Sequence, residues 1–159
     1  MDRLSVDDGP ATETEGGARR RSLSDALGTD RLSLNRYRAR PGERLSLSRH
    51  AHTAQEEVFV VLTGEATFET RDGEVSVGER EAIRFGPGEF QRGRNDAATD
   101  LVVLALGAPR EAGETLISWT PDLGDVACPE CDHDVMRVET RDDGAVLVCP
   151  DCGAVWDPD

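Results

Sequence analysis

PGERLSLSRHAHTAQEEVFVVLTGEA, residues 41–66, places a turn, two strand-like runs and three side chains of metal-ligand type in one short span. RLSLSRHAH alternates with period two and EEVFVVL is a fuller apolar run, so both read as strands. His50 and His52 lie two apart, which on a strand projects both imidazoles to the same side. Glu57 heads the next apolar run, and Gly64 follows it by seven residues. Two neutral imidazoles and a carboxylate can occupy three positions around a divalent ion and leave the others for water or substrate. The plainer reading is an exposed histidine pair beside a strand-end charge.

Working outward, RLSLNRYRA, EATFET, EVSVG, EAIRF and LVVLALG continue the series of short strands, with Gly or Pro at most breaks and Asp72-Gly73 as a hairpin signal. Seven or eight strands between Asp30 and Gly107 predict an all-β antiparallel barrel or sandwich, in which closing the sheet removes exposed edges. Gly42, the His-x-His pair, Glu57 and Gly64 resemble the first cupin motif, with a longer gap between Gly42 and His50 than that motif has. FGPGEFQRGRN resembles the second through Pro87, Gly88 and Asn95, but Gln91 stands where the motif has histidine. The resemblance implies a double-stranded β-helix (jelly-roll) barrel over residues 19–107, a ligand site inside it, and frequent dimers. Its metal ligands would be His50, His52 and Glu57.

Gln91 makes the fourth position a question. Its carbonyl oxygen is neutral and harder than imidazole nitrogen, so as a ligand it shifts preference from zinc or copper toward iron or manganese. The alternatives are a glutamine that faces away, or one whose amide hydrogens go to a bound substrate. We expect it to face inward with weak or water-bridged ligation. Gln55 lies outside the motif positions and is the weaker stand-in.

Beyond the barrel, residues 108–125 are rich in Pro, Gly and acids and read as a linker. Residues 126–159 follow, with Cys128 and Cys131 separated by two residues, Cys149 and Cys152 likewise, and seventeen residues between the pairs. That spacing suits a four-thiolate zinc site around one hairpin, with RDDG as its turn between strands over 135–140 and 145–148. It resembles a zinc ribbon, although Asp132 stands where glycine is common. Rubredoxin-like iron shares the tetrahedral thiolate geometry. His133 is expected on the surface.

Composition bounds the remaining choices. Thirty-two acidic residues against eighteen basic ones give a net charge of -14, and every basic residue is arginine. Nucleic acid and anionic membrane are disfavoured as partners, because a polyanion is repelled over most of the surface. The same balance resembles proteins of salt-loaded cytoplasm. No secretory signal or membrane-length apolar run is found, so a cytoplasmic protein is expected. Residues 1–18 read as a flexible acidic tail, followed by a short helical turn capped by Ser24 and ended by Gly28.

Two functions follow from these features. In one, the barrel is a metal-dependent protein acting on a small polar molecule, with dioxygenase or isomerase chemistry as the nearest classes. In the other it is a non-catalytic binding or sensing module whose ribbon docks a partner protein through the hairpin face or Trp156. Arg84, Arg92 and Arg94 are expected as solvated partners of carboxylates, and Tyr37, Phe59, Phe68, Phe85 and Phe90 as core or cavity wall.

Overall fold

The computed structural model describes residues 1–142 and 144–157. Short strands follow one another in chain order: β1 (Thr12–Glu13), β2 (Arg19–Ser22), helix α1 (Leu23–Leu27), β3 (Ser33–Ala39), β4 (Arg49–His52), β5 (Glu56–Thr63), β6 (Ala66–Thr70) and β7 (Gly73–Val77). Then come β8 (Ala82–Phe85), β9 (Arg92–Arg94), β10 (Leu101–Ala108), β11 (Thr115–Thr120), β12 (Gly124–Asp125), β13 (Met136–Arg141), β14 (Gly144–Val148) and β15 (Val155–Trp156). The all-β reading of the sequence holds, with eight strands from β3 to β10.

One layer of the barrel is the antiparallel sheet β1-β2-β3-β10-β5-β8. The facing layer is built from β7-β6-β9, which continues through bridges from Arg94 to Arg44 and from Gln91 to His50 into the stretch leading to β4. Alternation along β10 explains the division. Leu101, Val103 and Ala105 turn inward and are buried, whereas Val102, Leu104 and Leu106 face out and are half-buried. Phe59, Phe68 and Phe85 fill the space between the layers, with ring centroids 4.9, 5.4 and 6.1 Å apart. The second glycine of the first motif has a steric reason. Gly64 has φ of +84°, and a Cβ there would lie 2.6 Å from the backbone oxygen of Asp100.

Three expectations change. Residues 1–18 are not uniformly tail-like: Thr12 and Glu13 pair with Arg20 and Arg19, Arg44 N–H donates to Gly16 O at 2.8 Å, and Ala18 is wholly buried in the core. This hairpin is held by backbone bonds, to which a polar composition is no obstacle. The helix cap is Ser22, not Ser24. Ser24 is buried and its hydroxyl lies 3.3 Å from both Leu32 O and Leu34 O, while Gly28 ends the helix with φ of +65° as expected.

The largest change is at residues 108–125, where a linker was expected. β11 pairs on one side with β4 and on the other with β13, so the second layer of the barrel runs directly into the ribbon sheet β12-β11-β13-β14-β15. Ile117 and Ser118 are buried. Ile117 belongs to the ribbon's apolar cluster with Val126, Cys128, Met136, Leu147 and Cys149. The ribbon hairpin pairs Arg137 with Val148 through Arg141 with Gly144; Asp143, in its expected turn, lies outside the described residues, as does the end of the expected ribbon span at 158–159.

Candidate metal centres

β4 and the head of β5 bring the three barrel candidates together. His50 and His52 project to one side of β4, ring centroids 5.1 Å apart and nearly edge-on, and Glu57 enters from β5. The ligand-type atoms of His50, His52 and Glu57 all lie within 4.8 Å of one another, and His52 Nε2 is 3.8 Å from Glu57 Oε1. Each imidazole is oriented through its other nitrogen. His50 Nδ1 lies 3.1 Å from Ser48 O, and His52 Nδ1 lies 3.4 Å from Thr115 Oγ1. With Nδ1–H donating, both Nε2 atoms keep the lone pair a metal needs.

Gln91 is buried and faces these groups. Its backbone exchanges hydrogen bonds with His50, 2.9 and 3.0 Å. Its amide nitrogen lies 3.3 Å from Glu57 Oε2 and 3.4 Å from His50 Nε2. The amide thus donates to the carboxylate, and half a turn about its last bond puts the carbonyl oxygen in the same place. Asn95, by contrast, is structural: its side chain bonds Ala39 O at 2.9 Å, Thr99 O at 2.8 Å and the Ala97 N–H at 3.0 Å. Gln55 is drawn away from the site to the Pro109 carbonyl, 2.7 Å.

Burial, and then the charge of His50, pulls the His52 pKa down to about 4, which keeps this imidazole neutral. Burial also raises the Glu57 pKa, opposed by His50 and by the Gln91 hydrogen bond. Two imidazoles and a carboxylate that gains from a cation beside it form a donor set that fits a divalent ion. The groups open on a cavity of about 130 Å³ lined also by Tyr37, Leu45, Ser46 and Phe59. Burial raises the Tyr37 pKa, so its phenol stays a hydrogen-bond donor.

Among the arginines, Arg84 pairs with Glu56 at 2.7 Å on the surface as expected, whereas Arg94, its side chain only 16% exposed, pairs with Glu74 and Asp96 at 2.6 and 2.8 Å. Arg92 departs from expectation: it is buried, bonded to Glu69, and lies 3.9 Å over the Trp119 ring.

Residues 35–107 match the family model of the cupin domain. The barrel is a cupin domain. A sugar phosphate isomerase of the cupin superfamily from Silicibacter pomeroyi has the same fold, with a TM-score of 0.69 at 19% identity over 97% of this chain and 96% of that one. A cupin 2 conserved barrel domain protein from Salinispora arenicola aligns with a TM-score of 0.58 at 14% identity, over 69% of this chain and 90% of that one. For a predicted oxalate decarboxylase from Thermotoga maritima the TM-score is 0.54 at 21% identity, over 63% of this chain and 90% of that one. The search of curated proteins gives no match. No helix among the described residues is long and apolar enough to cross a membrane.

The four cysteines form a second cluster that fits a metal. Cys128 Sγ is 3.6 Å from Cys152 Sγ, and Cys131 Sγ is 3.6 Å from Cys149 Sγ. Sulfurs about 2.3 Å from a tetrahedral zinc would be about 3.8 Å apart. The two knuckles have the same backbone pattern. Asp132 N–H donates to Cys128 O and Gly153 N–H to Cys149 O, both at 3.0 Å. Asp132 adopts the left-handed φ of +59° where Gly153 has +76°, so the aspartate makes the turn at some strain. The Cys152 N–H, 3.5 Å from Cys149 Sγ, is the main cause holding that thiol down to about 6, whereas the Cys131 thiol, despite the His133 backbone bond that lowers it, is pushed up to about 12 by the sulfurs around it. His133 contributes its backbone carbonyl to Cys128 N–H and is outside the cluster. Trp156 packs partly against the ribbon core and is thus less available as a docking side chain.

Thr115 is the residue that sequence reasoning missed. TLISWT carries β-branched and aromatic residues suited to a strand, a signal masked by the Pro and Gly around it.

Proposed function

We propose that the cupin barrel holds a divalent ion, iron or manganese, through His50, His52 and Glu57, with Gln91 beside it as a weak or water-bridged neutral ligand, and acts on a small polar molecule. Four thiolates hold zinc in the ribbon. The observation that carries this reading is the convergence of two imidazoles and Glu57 on one cavity, with the Gln91 amide turned toward them. A bound ion would polarise a ligand oxygen or activate a water. The chain's own part is to orient both imidazoles, exclude bulk water behind Phe59 and Leu45, and offer the Tyr37 phenol as a donor to whatever enters.

A cavity of about 130 Å³ favours a ligand of few heavy atoms, since a water's share of the liquid is about 30 Å³. The isomerase and decarboxylase names of two fold neighbours make small oxygen-rich substrates the first to try. The same small cavity, with Tyr37 and Ser46 as its polar wall beyond the metal cluster, supports the second reading, a non-catalytic sensor whose ribbon docks a partner. Under either reading the barrel can form a homodimer and the protein works in the cytoplasm.

Metal analysis at saturating Fe(II) or Mn(II) plus zinc tests the reading. Two equivalents are expected, one lost on His50→Ala with His52→Ala and the other on Cys128→Ser. One equivalent that survives the histidine changes would sink the barrel site. Oxygen uptake with Fe(II), and isomerisation of a small sugar panel, separate catalysis from binding; ligand-induced thermal stabilisation without turnover favours the sensor.

A further inference from the structure

We propose that the zinc ribbon positions the barrel's metal ligands, through β11 and the hydroxyl of Thr115. This rests on the reading of His50, His52 and Glu57 as a metal site. β4, which carries both histidines, has β11 as its ladder partner in the register Thr115 with His52, Leu116 with Ala51 and Ile117 with His50. β11 is held in turn from its other side, Leu116 pairing with Arg137 and Ile117 with Met136. Ile117 packs in the same cluster as Cys128 and Cys149. The Arg137 guanidinium reaches Glu114 Oε1 at 2.8 Å, one residue before Thr115. A continuous path of packed and hydrogen-bonded groups therefore runs from the thiolates to His52 Nδ1.

The two imidazoles differ in what orients them. His50 Nδ1 donates to Ser48 O on its own segment, 3.1 Å away, whereas His52 Nδ1 has the Thr115 hydroxyl, 3.4 Å away on β11. β11 pairs with the backbone of both histidines, but only the His52 ring has its orienting partner there. A segment the size of the ribbon has too small a core to fold without its metal. Loss of the thiolate site removes the support of Ile117 and Met136, frees one flank of β11, and lets Thr115 leave His52. Thr115 is a positioning residue, since it acts on the ion only through the imidazole. Coupling of this kind is reciprocal: loading the barrel also tightens the ribbon.

Cobalt(II) is the probe, because thiolate and imidazole-carboxylate sites give distinguishable absorption in one sample of the full chain. Thr115→Val is expected to weaken barrel cobalt binding about tenfold, as loss of an outer partner of a metal-bound histidine does, with the thiolate charge-transfer band unchanged. Thr115→Ser, which keeps the hydroxyl, should restore the affinity. Cys128→Ser should weaken the barrel site at least as much, and adding Thr115→Val to it should change little, since both act through one contact. Wild-type protein with both spectra, together with barrel affinities within twofold of wild type in Thr115→Val and in Cys128→Ser, overturns the coupling alone. If Cys128→Ser does not fold, the Thr115 pair decides by itself. A wild-type spectrum with thiolate bands only overturns the barrel metal reading, and the coupling with it.

Discussion

Replacing Glu69 by glutamine should cost about 3 kcal/mol of stability, because one carboxylate serves a buried guanidinium that has no other. Glu69 accepts from Arg49 at 3.2 Å and from Arg94 at 3.5 Å, and it also bonds Arg92. Arg49 keeps Asp125 at 3.3 Å and the Ser118 hydroxyl at 2.9 Å, and Arg94 keeps Asp96 and Glu74. Among the described residues Arg92 has no second carboxylate; its side chain is 8% exposed, and its Nε and Nη1 have no hydrogen-bond partner. Breaking a buried ion pair from one side costs about 3–5 kcal/mol. The partial exposure of Glu69, 18%, and the contact of Arg92 with Trp119 put the value at the lower end. For a chain of this size about 3 kcal/mol lowers Tm by about 6–12 °C. Urea unfolding of the metal-loaded protein measures it, with equal slopes required across variants. Glu69→Gln with Arg92→Met should recover most of the loss, since methionine in place of Arg92 leaves no orphaned charge. A single-variant loss below about 1 kcal/mol, or a double variant no better than the single, refutes the reasoning.

Gln91→His should tighten barrel metal binding by at least about tenfold, about 1.4 kcal/mol, measured by chelator competition; unchanged affinity would mean that position 91 does not face the ion. Gly64→Ala meets both a left-handed backbone and the Asp100 carbonyl, and should destabilise by about 2–4 kcal/mol in urea, whereas Gly88→Ala, where an added Cβ meets nothing within 4 Å, should lose only the backbone strain of about 1–2 kcal/mol. Asp132→Gly relieves the left-handed turn of the first knuckle; the ribbon should release its metal to a chelator more slowly, and a faster release would show that the aspartate has another role.

The barrel was legible because each strand writes its two faces into alternate residues and each break carries Gly, Pro or an Asp-Gly turn. The motif spacings then picked His50, His52 and Glu57 out of an acid-rich chain, and the structure brings these three together. Gln91 was expected to face inward and lies buried beside His50 and Glu57, but whether its oxygen or its amide hydrogens serve the site was not legible, since the two ends of an amide are alike in shape. The N-terminal hairpin left no trace because its bonds are backbone to backbone and its side chains remain polar. Arg92 was misjudged for a different reason. Charge predicts exposure, and only the three-dimensional meeting with Glu69 and Trp119 reverses it. β11 escaped because six strand-forming residues sit between Gly113 and Pro121, and its partners lie more than sixty residues upstream and about twenty downstream.

That last omission bears on what the ribbon is for. A strand that aims two imidazoles at one point needs both of its edges held, and β4 has four residues with which to do so. On one side the His50 and Gln91 backbones exchange a pair of hydrogen bonds, and Gly88 N–H donates to His52 O at 2.9 Å. On the other, β11 extends the ladder past His52, where Thr53 N–H donates to Glu114 O at 3.0 Å and Glu114 N–H returns to Thr53 Oγ1 at 2.9 Å. Without β11 the histidine strand would be an open edge, with unpaired backbone groups and a His52 ring free to rotate. β11 cannot close that edge from a solvated linker, since an isolated strand has little stability of its own. It needs a partner on its far side, which is β13, itself paired with β14 and packed through Met136 in one cluster with Cys128 and Cys149. The ribbon is therefore continuous with the architecture of the barrel site, and the metal proposed for its thiolates is the part of that architecture most easily removed.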